Sequence, residues 1–519
     1  MKKFYLLALL FVGFQLAAQR QYLDPQYAVS YDPNVKYGTN IGVLTGTPAA
    51  EDLYMDVYYP NDDETSDRPV VLVAHTGSFL PPVINGQATG WRYDNDVVYL
   101  CQQLAARGYV AVAYEYRLGW NPVSSDQNVR TGTLLQAAYR GIQDTRACVR
   151  YMRQTADVGI NPYGIDPEKI MVLGVGTGGY LALGAGTLYD FDEVTLDKFY
   201  DTNTATPYID SLVMGNIYGD TQAAICLPNN PGYSSEISFA FNIGGACGDQ
   251  SWIDGEPRES AIAGVHCTSD IFAPFSEGPV IVPTTNEFVV YVAGTRAAVQ
   301  YANERGNNDV LNDLMAENDP LHDLIEAQKV DSVTLYTGQQ MLLGTDNFYA
   351  FKTPFPQGSP WDWWDKPTLD AMVAGINAQL GTDYNSDEIH MSGLATNPDM
   401  SREKGIAYCD TILNLMLPRA CYAMNLGCQF SGTDDIVDGS EIGLKVFPNP
   451  IVETAQISTE EDYKIESVYV YDINGRLVKA VSHLNTNNYT FERNNLSAGN
   501  YVLHLRTKEK SVVQKITIQ

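Results

Sequence analysis

The sequence Met171-Val-Leu-Gly-Val-Gly-Thr-Gly-Gly-Tyr180 has the frame of a sharp turn between a strand and a helix. Its apolar first half is typical of a buried strand, and Tyr180-Leu-Ala-Leu-Gly-Ala-Gly-Thr-Leu188 continues as an apolar helix. Gly174 and Gly178 are the small flanks of a Gly-x-Ser-x-Gly motif, in which the serine projects from a strained turn. Gly176 stands at the serine position, so the apex of this turn has no side chain.

Four further segments occur in a fixed order around the turn. Residues 69–79 form an apolar strand that leads into a loop, and residues 104–119 hold a helix end followed by a strand. Residues 143–153 are predicted to be helical, and residues 261–274 form a strand and a polar turn. Together the five segments resemble the α/β-hydrolase family of esterases and lipases over roughly residues 35–428. The resemblance implies a mostly parallel sheet with helices on both faces.

The resemblance also implies an acid and a histidine that follow the turn along the chain. Asp270 stands at the acid position, although a plain polar turn residue is the alternative. The histidine is expected after the last strand, which we predict at residues 330–336, and His390 follows that strand within the domain. The other histidines of this domain are predicted to be structural: His75, His266 and His322.

The loop His75-Thr-Gly-Ser-Phe79 resembles the His-Gly-Gly-Gly-Phe loop that forms the oxyanion hole in these enzymes. The resemblance assigns that role to His75, Thr76 and Gly77, together with Thr177, but Thr76 and Ser78 stand where relatives favour glycine. Thr177 as a displaced nucleophile remains an alternative, and it would put a β-branched residue into strained backbone. Loss of the nucleophile of a serine hydrolase costs about 10⁶-fold in turnover.

Two insertions in the frame, near residues 190–236 and 337–400, are candidates for binding surfaces, and the first is a candidate lid. The second contains Trp361, Trp363 and Trp364, which either stack on a glycan, anchor a protein partner or pack the insertion onto the domain. We therefore predict a secreted hydrolase-like protein that binds without catalysis, at the cell surface or with the secretion apparatus. The alternative is an active secreted serine-type esterase with an atypical site.

The chain begins with features of an exported protein. Residues 1–18 combine a basic start, an apolar run and small residues, which predicts a cleavable signal peptide, with a membrane anchor as the alternative. No later segment is apolar and long enough to predict a transmembrane helix. Eight cysteines in an exported chain make disulfides plausible, and a bridge between Cys421 and Cys428 would pin the last helix of residues 19–428. No Cys-x-x-Cys or His-Glu-x-x-His spacing occurs, so we expect no metal and no cofactor.

The formal net charge of the chain is -29. Residues 440–519 contain nine Asp or Glu and nine Lys or Arg, so the whole acidic excess lies upstream of them. Binding to phosphates requires clustered cations, which argues against a nucleic-acid partner. Solubility outside the cell is the simple explanation of the acidity.

The composition changes after residue 428. Residues 429–441 are polar and acidic, which predicts a linker, and the alternating segments beyond it predict a small all-β sandwich with a hairpin at Asn474-Gly475. Val446-Phe-Pro-Asn-Pro450, residues 470–478 and residues 496–503 resemble the type A sorting domain of the type IX secretion system. The resemblance implies that residues 442–519 dock on the secretion machinery of a Bacteroidota-type cell and direct export across the outer membrane. The alternative is an ordinary β-sandwich binding module.

Overall fold

A computed structural model of the protein describes residues 20–61, 65–282, 287–428, 430, 435–472, 477–481, 484–494, 496–507 and 510–519. The predicted signal peptide and the Asn474-Gly475 turn lie outside these residues.

A mostly parallel sheet forms the centre of the N-terminal part. The strands of this part are β1 (Val29–Gly42), β2 (Ala49–Pro60), β3 (Arg68–Ala74), β4 (Val110–Tyr114), β5 (Ile165–Val175), β6 (Phe239–Ile243), β7 (Ala246–Cys247), β8 (Ala261–Cys267), β9 (Glu277–Val282), β10 (Glu287–Gly294), β11 (Ser332–Thr334), β12 (Gln340–Leu342) and β13 (Phe348–Phe351). Among the described residues, eight of them form one sheet in the order β1-β2-β4-β3-β5-β6-β8-β13. The pairs β1–β2 and β2–β4 are antiparallel, and the other neighbours are parallel.

Helices cover both faces of this sheet. The helices are α1 (Asn95–Ala105), α2 (Gln127–Asp157), α3 (Thr177–Thr187), α4 (Ser211–Met214), α5 (Thr295–Arg305), α6 (His322–Lys329), α7 (Lys366–Leu380), α8 (Ser386–Thr396) and α9 (Arg402–Ala423). Side chains of a strand alternate between its two faces. In β3, Val70, Leu72 and Ala74 therefore pack with α2, α3 and α5, whereas Val71 and Val73 pack with α1 and α9. The predicted α/β fold with helices on both faces is confirmed.

The last strand of the sheet differs from the one predicted. Residues 332–334 of the predicted strand pair antiparallel with β12 in a separate hairpin, and β13 is the strand that pairs with β8. Alternation in residues 330–336 fits an exposed hairpin as well as a core strand, because Ser332 and Thr334 face solvent. β13 is short and fully buried, so its four residues have no alternation for a sequence pattern to show.

The C-terminal part is all β, as predicted. Its strands are β14 (Asp435–Ile436), β15 (Lys445–Phe447), β16 (Thr454–Ser458), β17 (Ile465–Asp472), β18 (Leu477–Val481), β19 (Asn488–Glu492), β20 (Gly499–Thr507) and β21 (Lys510–Ile518). Among its described residues, they form sheets β14-β21-β20-β17-β18 and β15-β16-β19 around one apolar core. β14 lies within the predicted linker and pairs with β21, so the β structure begins before residue 442.

A disulfide joins Cys421, in the last turn of α9, to Cys428 in the segment that follows the helix, with their Cα atoms 5.8 Å apart. The other six cysteines are buried free thiols. Within the described part of the chain, every helix is too short or too polar to cross a bilayer.

Candidate functional site

The turn between β5 and α3 has the geometry of a nucleophile elbow. Gly176 adopts φ 54° and ψ -115°, and its N–H donates to Ile243 O at 2.8 Å. A Cβ atom at Gly174 would overlap the carbonyl oxygen of Gly178, and one at Gly178 would overlap that of Ala74. Both flanking glycines are therefore required by the close approach of the backbone, as in an elbow that presents a serine.

Thr76 fills the place that a nucleophile side chain would take. A Cβ atom built on Gly176 would lie 3.0 Å from Thr76 Cβ and would overlap Thr76 Oγ1. Thr76 is one of the loop positions where relatives favour glycine. The two departures from the motif thus compensate each other in space. The serine side chain is missing at the end of β5, and the side chain of Thr76, at the end of the neighbouring strand β3, occupies that space.

The predicted oxyanion loop is held by His75. Its Nδ1–H donates to Thr76 O at 2.6 Å, its ring stacks on Tyr116 with centroids 4.4 Å apart, and the Tyr116 hydroxyl donates to His75 O at 2.9 Å. Burial lowers the pKa of His75 to about 4, so its ring is neutral at pH 7. A Cβ at Gly77 would lie 2.7 Å from Gly90 Cα, so this loop position requires glycine. His75 is a structural residue of the loop, whereas Thr76, Gly77 and Thr177 line a cavity.

Asp270 follows β8, as the family order requires, and also lines the cavity. Its Oδ1 accepts from the backbone N–H of Phe272 (2.7 Å) and of Ala273 (3.3 Å), and its Oδ2 lies 3.4 Å from His266 Nε2. The loop after β13 places Gly358 against it, because a Cβ on Gly358 would lie 3.1 Å from Asp270 Oδ1. The residue of the loop after β13 that lies against Asp270 is thus a glycine, Gly358, which has no side chain.

His390 and His266 have different surroundings. His390 lies on α8, where its Nδ1 accepts from Trp364 Nε1–H at 3.1 Å, and it is outside the cavity wall. His266 is fully buried, and its Nδ1 lies 2.7 Å from Thr295 Oγ1. Among the described residues that line the cavity there is no histidine. The structure brings Gly176 and Asp270 to one cavity and does not bring His390 there.

The cavity beside Gly176 has a volume of about 410 Å³. Its walls come from the oxyanion loop, α2, α3, the insertion after α3, the β9–β10 hairpin and the loop after β13. Apolar side chains make up most of the lining: Phe79, Trp120, Leu134, Leu135, Ile142, Leu188, Val194, Phe199, Ile209, Trp252, Val290 and Val292. Val194, Phe199 and Ile209 belong to the insertion predicted as a lid, which here forms one wall.

The three predicted tryptophans have different surroundings. Trp361 and Trp363 are only 3% and 8% exposed, which corresponds to the packing alternative, and Trp364 is partly buried beside His390. Trp361 at the same time lines the cavity, where its ring would lie 3.2 Å from a Cβ on Gly244. Trp363 is therefore buried against the domain, whereas the small exposed part of Trp361 belongs to the cavity wall.

Three buried carboxyl groups that no sequence motif predicted form a cluster, one member of which lines the cavity. Asp94 accepts a hydrogen bond from Gly90 N–H at 2.7 Å. Burial, and to a smaller extent the nearby Asp96 carboxyl, raise the pKa of Asp94 well above its usual value. Burial also raises the pKa of Asp96 to about 6. Burial, then Asp96 and Asp94, raise the pKa of Asp362, which lines the cavity. Asp94 and Asp96 are separated from Asp362 by most of the domain, so no local motif announces the cluster.

The raised pKa of Asp96 predicts a pH-dependent stability. Below the pKa of about 4 that Asp96 has in the unfolded chain, the carboxyl is protonated in both the folded and the unfolded protein. As the pH rises from there through about 6, the unfolded chain releases this proton first, so the free energy of unfolding falls. Asp96→Asn should therefore match the parent near pH 4 and exceed it at pH 8 by on the order of 2–3 kcal/mol, since one pKa unit corresponds to about 1.4 kcal/mol. Urea unfolding at each pH measures this. Exposed Asp383→Asn is the control, and parallel curves for Asp96→Asn and the parent would contradict the prediction.

Two protein-family models match parts of this chain. Residues 55–227 match the BD-FAE family model, and residues 445–519 match that of the secretion system C-terminal sorting domain. Similar solved structures include Thermogutta terrifontis esterase 2 phosphorylated by paraoxon, with 17% identity over 55% of this chain and 80% of that chain and a TM-score of 0.31. The butyrate-bound form of that esterase has 19% identity over 50% of this chain and 76% of that chain, with a TM-score of 0.28. No curated protein matches.

The chain thus contains an esterase-like α/β-hydrolase domain and, after it, a type IX sorting domain. The sorting domain indicates export by the type IX system to the cell surface or beyond, and it implies an interaction with that machinery. Both resemblances predicted from the sequence are confirmed.

Proposed function

We propose that this secreted protein uses the hydrolase fold to bind a ligand rather than to cleave one, with the cavity beside Gly176 as its binding site. One observation carries the proposal: the elbow has no nucleophile side chain, and Thr76 occupies its place. Acyl transfer by a serine hydrolase requires a nucleophile and a histidine within hydrogen-bond reach of it. No histidine lies among the described residues of the cavity wall, so the Thr76 hydroxyl at the vacant position has no imidazole there to take its proton.

The remaining parts of the site are suited to holding a ligand. The elbow, Asp270 and the oxyanion loop are fixed by backbone hydrogen bonds and close glycine contacts, so the cavity is formed in advance. Such a cavity avoids part of the ordering cost of binding. Asp270, with its Oδ1 held by two backbone N–H groups, acts in this proposal as a structural anchor of the cavity wall.

The second candidate is an esterase with an atypical site. It is favoured by the acid Asp270, which is retained in position and lies 3.4 Å from a histidine, His266. In that case Thr76 or Thr177, both of which line the cavity, would have to serve as the nucleophile.

Hydrolysis of short-chain nitrophenyl esters, together with labelling by a fluorophosphonate probe, separates the two candidates. We expect turnover of the full-length protein to be indistinguishable from that of a heat-unfolded sample, with no adduct formed, because about 10⁶-fold of turnover depends on a nucleophile. An active serine esterase is the positive control. Turnover that Asp270→Ala abolishes would contradict the proposal.

A further inference from the structure

We infer that the cavity binds an uncharged amphiphile with a single alkyl chain, such as a long-chain alcohol or a monoacylglycerol. This inference rests on the proposed binding function and adds the chemical class of the ligand. Three features of the cavity support it: its length, its apolar far end and the absence of a cation from its described lining.

The cavity wall includes residues at both ends of α3. Thr177 is the first residue of this helix and Leu188 directly follows its last residue, and both line the cavity. The helix has 11 residues, which at about 1.5 Å per residue span about 16 Å. An extended alkyl chain can lie along a space of this length, whereas a single aromatic ring would span only part of it.

The end near Leu188 offers almost only apolar surface. The side chains around it are those of Ile142, Leu188, Val194, Phe199, Ile209 and Trp252. The hydroxyl of Tyr139, which also lines the cavity, already donates to Gly215 O at 2.9 Å. The indole N–H of Trp252 likewise donates to Glu193 O at 2.8 Å. This end therefore favours methylene groups, since the polar hydrogens of the described Tyr139 and Trp252 side chains are already donated within the protein.

The end near Gly176 is polar without being positively charged. The hydroxyl side chain of Thr76 lines it, and a hydroxyl group both donates and accepts hydrogen bonds. Among the described lining residues, Asp270 and Asp362 are the acidic side chains and there is no Lys, Arg or His. A carboxylate or phosphate head group would thus lose its hydration without gaining a cation.

A cationic head group is disfavoured for a different reason. The Asp270 carboxylate already accepts from two backbone N–H groups and faces His266. Burial, with a smaller contribution from Asp96 and Asp94, holds the pKa of Asp362 well above its usual range, which favours the uncharged form of this group. Both acidic groups are therefore poor counter-ions, and an uncharged hydroxyl or ester head fits the polar end best.

Calorimetric titration of the full-length protein with the 1-alkanols from hexanol to dodecanol, and with the alkanoates of equal length at pH 8, tests the inference. The Kd should fall about fourfold with each added methylene until the cavity is filled, because each buried CH₂ contributes about 0.8 kcal/mol. Each alkanoate should bind at least tenfold more weakly than its alcohol. A Kd independent of chain length, or tighter binding of the alkanoates, would overturn the inference.

Two variants locate the site. Ala138→Trp adds bulk to a small side chain of the cavity wall and should weaken decanol binding at least tenfold, and Ala138→Leu less so. Leu212→Trp, at a position that is 85% exposed, should leave the Kd unchanged. Unchanged decanol binding in a folded Ala138→Trp protein would overturn the assignment to this cavity, and if that variant does not fold, Ala138→Leu decides. Ester turnover would overturn the proposed non-catalytic function without changing how the Kd depends on chain length. A failure of the proposed function is therefore distinguishable from a failure of the ligand assignment.

Discussion

Asp144→Ala is expected to lower the free energy of unfolding of the hydrolase-like domain by about 3–5 kcal/mol, the usual cost of leaving a buried charge unpaired. Arg117 and Asp144 are both fully buried, with Arg117 Nε 2.8 Å from Asp144 Oδ2. The backbone N–H of Arg117 also donates to Asp144 Oδ2 at 2.9 Å, which ties the chain after β4 to α2. Urea unfolding followed by near-UV circular dichroism measures the loss.

Two comparisons test the reason for this loss. Asp52→Ala removes the exposed ion pair of Asp52 with Lys36 and should lower the free energy of unfolding far less than Asp144→Ala does, because water screens exposed pairs. Removing both buried charges, in Arg117→Met/Asp144→Leu, should cost less than Asp144→Ala alone, because no unpaired charge remains. A loss below about 1 kcal/mol for Asp144→Ala would show that the pair is not the anchor between β4 and α2.

Gly176→Ser is expected to destabilise the protein by about 1–3 kcal/mol without creating an esterase, since a residue held at an unfavourable positive φ typically costs that much. Gly176 has φ 54°, and the new Cβ would also overlap Thr76 Oγ1. Thr76→Gly should relieve the steric part only. A double-mutant cycle should therefore give a coupling of at least about 1 kcal/mol between the two positions.

Gly232→Ser is the matched control for the Gly176 variants. Gly232 also has positive φ, 94°, but no heavy atom lies within 4 Å of a Cβ built there. Its destabilisation should be independent of Thr76→Gly. Additive effects of Gly176→Ser and Thr76→Gly would contradict the assignment of Thr76 to the nucleophile's place.

Local motifs predicted much of the fold. The elbow glycines, the strand before Asp270 and the β17–β18 pairing were predictable because each depends on residues close in sequence. The prediction of the last strand was wrong because strand pairing depends on distant residues. Residues 332–334 alternate like a strand of the main sheet but pair in a separate hairpin, and the buried β13 has only four residues.

The site was less predictable because its decisive contacts join distant segments. The sequence showed a glycine at residue 176 and a threonine at residue 76, but only the fold places the threonine in the glycine's gap. Similarly, the loop after β13 places Gly358, not a histidine, against Asp270. The position of His390 in the sequence did not reveal this, because His390 lies beside Trp364 instead.

We propose that the elbow has no working nucleophile. Mass spectrometry of the intact full-length protein after incubation with a fluorophosphonate tests it most directly, because this probe reacts with activated hydroxyl groups whatever the natural substrate is. We predict an unchanged mass under conditions that label an active serine esterase completely. A stoichiometric adduct on Thr76 or Thr177 that Asp270→Ala prevents would contradict the account.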